Sequence, residues 1–368
     1  MAVLDAIAGM IRRELLGEAS MGQVWQRVGE LSMSRLLHSV RSLIVSFGMA
    51  GALLAFHSMG GGHPAYGQWT PTKPITFIVM AGRGGGADKA VRFLAKTMKD
   101  RELVDVEINP VNITGGSGAK AMTELKRRAG DDHAIMFTLN SFYTTPIRQP
   151  ELAIDIGTFT PIARMAEDTF VLWVSQKRTD INNLKDFVKA AGEKGKQWVM
   201  AGTGTGSEDN LLTDFLNSTY GLNITYRPLR GGGAVAKQLV ESRADSTVNN
   251  PSEQMKYFEQ GLTKPIAAFT PRRLPMFKRT PTLRETGMDF HYFMQRSVVG
   301  APGMSPNAIA YYQALFRKVF QSEEWQGYRQ KNSLQGEFLT GNGLRKYWLR
   351  QREKHARWQM AIDILKPQ

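Results

Sequence analysis

The segment from Ile75 to Asp88 constrains the fold more than any other, because it joins a strand pattern, a glycine loop and a helix pattern without a gap. Residues 75–79 are five consecutive apolar or β-branched residues, which is typical of a strand buried on both faces of a parallel sheet. Four glycines follow within five residues, and an apolar stripe with helical spacing then runs from Ala87 to Met98. Glycine lets backbone N–H groups approach a ligand, and a helix N-terminus favours negative charge. The segment therefore predicts an anion-binding loop.

Two nucleotide-binding motifs are excluded at this loop. No Gly-Lys-Ser/Thr follows the glycines, so the loop is not a phosphate-binding P-loop. A dinucleotide-binding loop would need a glycine at Ala87. A plain tight turn between a strand and a helix remains an alternative to the anion-binding loop.

The same strand, loop and helix pattern returns about 120 residues later, at residues 198–216. Glycine-rich turns also follow predicted strands at residues 114–118 and 231–233. This rhythm predicts an α/β fold of mostly parallel sheets flanked by helices, with ligands bound beyond the carboxyl ends of the strands. Two glycine loops at equivalent places are what two facing lobes need to hold one ligand, although two unrelated α/β halves would show the same pattern.

The amino-terminal segment predicts export. Arg35 and Arg41 precede fourteen uncharged, mostly apolar residues at 43–56, which is the length of a signal-peptide core and too short for a membrane span. Small residues at the expected positions place cleavage after Gly67, and an uncleaved anchor is the alternative. We interpret residues 33–67 as the signal peptide and 1–32 as a possible over-extended start. The expected location is the periplasm.

Composition narrows the function further. The chain contains no cysteine, which excludes disulfides, thiolate metal sites and a lipid-bearing cysteine. The net charge is +14, and because residues 1–67 hold five basic and four acidic residues, the remaining 301 residues carry +13. Basic residues are scattered and not clustered in one tract, which favours acidic ligands or ordinary solvated surface over nucleic acid or a membrane.

Beyond these patterns, the chain resembles the Bug-type solute receptors, which are the extracytoplasmic binding proteins of tripartite tricarboxylate transporters. The resemblance covers essentially all of the chain after the leader, and its motifs become specific through their order. They are K-P-I-T at 73–76, G-G-G-x-D at 84–88, F-T-P-I-A at 159–163, G-T-G-T-G-S at 202–207, P-L-R-G-G at 228–232, T-P-T-L at 280–283 and G-A-P-G at 300–303.

The resemblance implies a two-lobed, Venus-flytrap fold whose hinge consists of crossing strands. Lobe 1 would comprise residues 68–174 and 299–368, and lobe 2 residues 175–298. A monomer of this kind would bind a small carboxylate or amino-acid-like ligand between its lobes, without cofactor or metal, and pass it to the membrane subunits of a transporter. In the family two loops hold a ligand carboxylate through backbone N–H groups and water. The corresponding ligand-binding candidates here are Ala81, Gly82, Arg83, Gly84, Gly85, Gly86, Asp88, Thr203, Gly204, Thr205, Gly206 and Ser207.

Several residues depart from the family pattern. Arg83 and Arg296 could each grip a second carboxylate, or they could be solvated or salt-bridged. Glu208 and Asp209 suit the start of a helix but would repel a bound anion, which leaves room for a ligand with a positive group. Asp88 could meet such a group or cap its own helix.

A second set of candidates lies at other predicted strand ends. We expect Asn140, Ser141 and Asn250 to contribute polar groups to the cleft, with turn or strand-end bonding as the alternative. Phe142 and Tyr143 could line the cleft wall or pack in the core. Ser207 is expected to cap the helix that follows it.

Nothing in the sequence favours catalysis. The chain after the leader has three histidines, at positions 133, 291 and 355, and no recognisable nucleophile or metal-ligand motif. An exported hydrolase is therefore a minor alternative. A sensor that presents its ligand-bound form to a signalling partner would share the whole sequence and is the other alternative.

Overall fold

The computed structural model describes residues 69–365, with side chains described as far as residue 360. The predictions made for residues 1–32, for the signal peptide at 33–67 and for cleavage after Gly67 lie outside the described residues. Within 69–365, no helix combines the length and the apolar character that crossing a membrane requires.

Ten strands occur within residues 69–365. They are β1 (Ile75–Val79), β2 (Ile108–Asn112), β3 (Ala134–Thr138), β4 (Thr160–Thr169), β5 (Val171–Ser175), β6 (Val199–Thr203), β7 (Thr225–Leu229), β8 (Ser246–Asn249), β9 (Thr263–Ala268) and β10 (Phe293–Gly300).

The same part of the chain contains ten α-helices. They are α1 (Gly86–Asp100), α2 (Ala119–Arg127), α3 (Ser141–Arg148), α4 (Leu184–Lys194), α5 (Glu208–Tyr220), α6 (Gly232–Val240), α7 (Pro251–Glu259), α8 (Pro306–Gln321), α9 (Glu323–Lys331) and α10 (Gly341–Leu365).

The strands form two five-stranded sheets with matching topology. The first has the order β2-β1-β3-β10-β4 and the second the order β7-β6-β8-β5-β9. In each sheet the first three strands are parallel, and the fourth strand (β10 or β5) is antiparallel to both of its neighbours. The edge strand next to it (β4 or β9) therefore runs in the same direction as the first three. We call the first sheet with α1–α3 and α8–α10 lobe 1, and the second sheet with α4–α7 lobe 2. The expected two-lobed α/β fold is confirmed.

The strand patterns explain this arrangement. β3 and β5 are buried along their whole length, as strands covered by helices on both faces must be. The helices turn their apolar stripes to the sheets, and α1 buries Val91 and Leu94 completely. Each lobe therefore has its own core, with Phe77 and Phe137 in lobe 1 and Phe187 in lobe 2.

Two strand crossings form the hinge. β4 continues through Phe170 directly into β5, and the return passes from β9 to β10, where Tyr292 donates a backbone hydrogen bond to the Phe269 carbonyl at 2.9 Å. The sequence predicts that the chain leaves lobe 1 after residue 174 and returns to it at residue 299. In the structure β5 already belongs to the second sheet and β10 to the first.

The carboxyl-terminal helix α10 connects both lobes as well. Leu344 and Trp348 pack in the lobe 1 core, whereas Trp358 packs in the lobe 2 core against Phe215 and Phe290. The chain therefore passes between the lobes three times, twice as strand and once as helix.

Candidate functional site

The first glycine loop follows β1 and leads into α1. Its backbone is held by its own residues, since Gly84 N–H donates to Asp88 at 2.9 Å and Gly85 N–H to the Gly82 carbonyl at 3.4 Å. Asp88 also forms an ion pair with Arg92 at 3.0 Å. Asp88 therefore braces the loop and helix that contain it.

The first loop faces lobe 2. A Cβ atom at Gly82 would lie 2.5 Å from the Arg230 carbonyl oxygen, so only glycine permits this approach. At the start of α1, Gly86 N–H donates to the Glu253 carboxylate at 3.0 Å. The loop is therefore in contact with the turn at residues 230–233 and with the first turn of α7.

The second glycine loop, at residues 203–207, follows β6. Thr203 N–H donates to Asp209 at 2.7 Å, and Gly206 N–H donates to Asn210 at 2.9 Å. Ser207 occupies the position before α5, but its hydroxyl donates to the Thr203 carbonyl and makes no side-chain cap. The expected capping bond of Ser207 is therefore wrong: its hydroxyl points back to donate to the carbonyl at the end of β6, and its oxygen accepts no hydrogen bond from the first turn of α5.

The second loop faces lobe 1. The Ser117 hydroxyl donates to the Thr205 carbonyl at 2.7 Å, and the Arg148 guanidinium donates to the Gly206 carbonyl. A Cβ atom at Gly204 would lie 3.2 Å from the Ser117 oxygen. Both predicted loops thus border the boundary between the lobes, each against a different part of the opposite lobe.

The first two residues of α5 are buried carboxylates at this boundary. Glu208 is 5% exposed and accepts a hydrogen bond from Ser141 N–H, at the start of α3, at 2.8 Å. Burial raises the pKa of Glu208, and burial together with the nearby Glu253 raises the pKa of Asp209 well above its usual value. Ser141 therefore lies at the boundary between the lobes, where its backbone N–H group binds Glu208.

Arg296 lies at the base of the cleft, beneath the first loop. Its Nε donates to Asp168 at 2.9 Å, and its Nη2 donates to the same carboxylate and to the Asn250 side-chain oxygen at 3.2 Å. Asn250 in turn donates to the Thr169 carbonyl at 2.8 Å. Burial raises the pKa of Asp168 to about 6, against the opposing effect of the guanidinium. The salt-bridged alternative for Arg296 is therefore observed, and the pair ties β10 to β4 and α7.

Asn140 is fully buried, and its amide bonds to the hinge. Its Nδ2 donates to the Tyr292 hydroxyl at 2.9 Å and to the Phe293 carbonyl at 2.7 Å, while its Oδ1 accepts from Gln295 N–H at 2.9 Å. The Tyr292 hydroxyl lies 3.0 Å from His355 Nε2 on α10. Asn140 thus links the end of β3 to the return strand, which is the strand-end bonding considered as its alternative.

Other sequence candidates fall on the surface or in the core. Arg83 is exposed at the rim of the first loop, and the Ala81 carbonyl accepts a hydrogen bond from Asn112 at 2.9 Å. Phe142 and Tyr143 are fully buried in the lobe 1 core. For these two aromatic residues the core-packing alternative is observed.

Sequence reasoning missed two contributors to the boundary between the lobes. Glu253 and Arg148 reach across it, and neither was singled out from the sequence. The only available signal was the acidic residue in the first turn of α7, and such residues are common because they suit the helix dipole.

The fold and the loop geometry define a class of protein. Two α/β lobes joined by strand crossings, with glycine loops at the boundary between them, form the periplasmic-binding-protein architecture. A Rhodopseudomonas palustris protein solved with adipate has this fold, with a TM-score of 0.73 at 20% identity, covering 80% of this chain and 98% of that one. MatC from Rhodopseudomonas palustris, solved with bound malate, gives a TM-score of 0.70 at 20% identity over 80% of this chain and 100% of that one.

Sequence comparison gives the family. The model of the tripartite tricarboxylate transporter family receptor matches residues 91–356, and the chain belongs to this family. Among curated relatives, BugT of Bordetella pertussis is 21% identical over 300 residues, which cover 80% of this chain and 86% of that protein. Receptors of this family are periplasmic solute-binding proteins and not enzymes. The resemblance noted from the sequence motifs is therefore confirmed.

Proposed function

We propose that this receptor captures a small carboxylate-bearing solute between its lobes and delivers it to the membrane subunits of a tripartite tricarboxylate-type transporter. The observation that supports the proposal is that a glycine loop from each lobe lies at the boundary between the lobes, each at the start of a helix. Helix N-termini and exposed N–H groups favour carboxylates. Relatives of the same fold were solved with malate and with adipate.

The mechanism we propose is a shift in an open-closed equilibrium. A solute that contacts both lobes binds the closed form more tightly than the open form, so it increases the closed population. The hinge at Phe170 and Tyr292 permits rotation of one lobe against the other. Membrane subunits would then recognise the closed form, in which both lobes present one continuous surface.

A thermal-shift screen tests the binding step. Residues 68–368, refolded to remove bound solute, would be mixed with malate, adipate, other carboxylic acids, amino acids and aromatic acids. A solute at a hundredfold excess over its Kd raises the free energy of unfolding by about 2.7 kcal/mol. A shift confined to one class of carboxylates supports the proposal, whereas no shift with any acid contradicts it.

Variants then locate the site. Replacing Gly85 or Gly204 with valine should abolish the shift, because each would place a branched side chain in a glycine loop beside the opposite lobe. Arg83→Ala tests the exposed guanidinium as a second anchor, since its removal leaves the buried hinge contacts intact. Unchanged affinity in both glycine variants would show that the loops do not form the solute site.

A further inference from the structure

Two carboxylates of lobe 2 bind helix N-termini of lobe 1. Glu253, in the first turn of α7, accepts a hydrogen bond from Gly86 N–H at the start of α1, with a distance of 3.0 Å. Glu208, the first residue of α5, accepts one from Ser141 N–H at the start of α3, with a distance of 2.8 Å. Each contact joins a negative charge to the positive end of a helix dipole across the boundary between the lobes.

The surroundings of Glu253 form a shaped site for its carboxylate. The other carboxylate oxygen accepts from the Asn249 amide at 2.9 Å, which fixes the orientation of the side chain. A Cβ atom at Gly232 would overlap the carboxylate, and one at Gly85 would lie 3.6 Å from it. Glycines of both lobes therefore leave the space that the carboxylate fills.

Further bonds between the lobes accompany these two. The Lys89 amine donates to the Ser252 carbonyl at 2.7 Å beside Glu253, and the Arg148 guanidinium donates to the Gly206 carbonyl beside Glu208. Both of these bonds have neutral carbonyl acceptors, and the Lys89 bond is exposed. The two carboxylates are thus the charged acceptors through which lobe 2 holds the helices of lobe 1.

We propose that Glu208 and Glu253 form a clasp that holds the lobes closed through the chain's own carboxylates. The clasp stabilises the closed form through hydrogen bonds from helix N-terminal N–H groups to carboxylates, which is the interaction that a bound solute carboxylate would make. One consequence rests on the proposed function: a solute carboxylate competes with these side chains for the N–H groups of Gly86 and Ser141. A solute carboxylate that uses these N–H groups therefore has to displace Glu253 or Glu208 first.

The test measures the distance between the lobes with two spin labels. Because the chain has no cysteine of its own, only the two introduced cysteines would be labelled. Val111→Cys on the edge strand β2, where the side chain is 41% exposed, and Ala234→Cys on the exposed side of α6 place one spin label on each lobe. Val111 lies on the edge strand of the first sheet opposite β4, and Ala234 lies in the first turn of α6, directly after the turn that contacts lobe 1. Pulsed electron paramagnetic resonance on residues 68–368, which contain both cores, would measure the label separation after removal of solute by refolding.

The clasp predicts a short separation in the parent protein and a longer one when Glu208 and Glu253 are both alanine. Each carboxylate removed should raise the ratio of open to closed molecules roughly tenfold, as expected for a charge-assisted hydrogen bond. Glu259→Ala, at the exposed end of α7, is the matched control and should leave the separation unchanged. The single Glu208→Gln and Glu253→Gln variants keep the side-chain shape and should shift the ratio in the same direction by less.

Two results would overturn the clasp. One is a parent protein that is predominantly open, and the other is an unchanged distribution of separations in the alanine and glutamine variants. Because the measurement uses no solute, its failure is distinct from a failure of the binding screen. A functional receptor without a clasp would bind a carboxylate yet show no difference between these variants in label separation.

Discussion

His355 should make folding stability depend on pH in a direction opposite to the buried carboxyl groups. The ring lies on α10, is 3% exposed, and stands 3.0 Å from the Tyr292 hydroxyl and 2.7 Å from the Gln351 carbonyl. Nδ1 therefore donates to the carbonyl, and Nε2 accepts from Tyr292. Burial, with a smaller contribution from Lys354, lowers the pKa of His355 from 6.5 to about 4.

The sign and size follow from proton linkage. Between pH 6.5 and 4 the unfolded chain binds a proton that the folded chain does not, so His355 contributes stability above this range and loses it as the pH falls. The full effect is about 3.4 kcal/mol, at about 1.4 kcal/mol for each pH unit. At pH 5, about 2 kcal/mol should already be lost relative to pH 8.

His355→Gln isolates this effect, because glutamine keeps hydrogen-bonding groups and does not titrate. Asp168, Glu208 and Asp209 have raised pKa values and therefore gain stability as the pH falls. These carboxyl groups are common to both proteins. The free energy of unfolding in urea would be measured for both proteins at pH 8 and at pH 5. From pH 8 to pH 5, the stability of the parent protein relative to the variant should fall by about 2 kcal/mol. A difference between the two proteins that stays constant with pH would refute the assignment of a depressed pKa to His355.

Three further substitutions give expectations of different kinds. Gly82→Ala should weaken binding of the carboxylate found in the screen, measured by calorimetry, because its Cβ would lie 2.5 Å from the Arg230 carbonyl and keep the lobes apart; unchanged affinity would show that closure does not need this approach. Arg296→Ala should lower the free energy of unfolding in urea by about 3–5 kcal/mol, because Asp168 would remain buried without its partner. A loss below about 1 kcal/mol would mean that the ion pair contributes no more than an exposed pair does. Gly327→Ala on α9 should raise stability by about 0.5–1 kcal/mol, since a Cβ there meets nothing within 4 Å; destabilisation would contradict that open surrounding.

Much of the architecture was accessible from the sequence, because local patterns determine it. β1, β3 and β5 were predicted from runs of mostly apolar and β-branched residues, and the glycines after β1 and β6 indicated where those strands end. Helix α3 was not anticipated, since it contains two threonines, two aromatic residues and Pro146. It forms because Phe142 and Tyr143 bury their side chains in the lobe 1 core, and this tertiary packing outweighs weak helix propensity.

The site was only partly accessible for a different physical reason. Each glycine loop could be identified from its own residues, but its neighbour depends on how one lobe is rotated against the other. Gly82 meets Arg230, and Gly206 meets Arg148. Glu253 and Gly86 are 167 residues apart, and no local pattern records such a pair. Sequence reasoning therefore identified the parts of the cleft and missed the contacts between them.

Helix α10 gives the receptor a fixed mechanical link. Trp348 anchors it in one lobe and Trp358 in the other, so about 15 Å of helix lies between the anchors at about 1.5 Å per residue. A helix resists stretching, because its hydrogen bonds run along its axis. The two lobes are therefore unable to separate by sliding apart, and their relative motion is confined to rotations that keep this distance constant. Under the proposed mechanism, opening would be a rotation of one lobe against the other that leaves α10 unstretched.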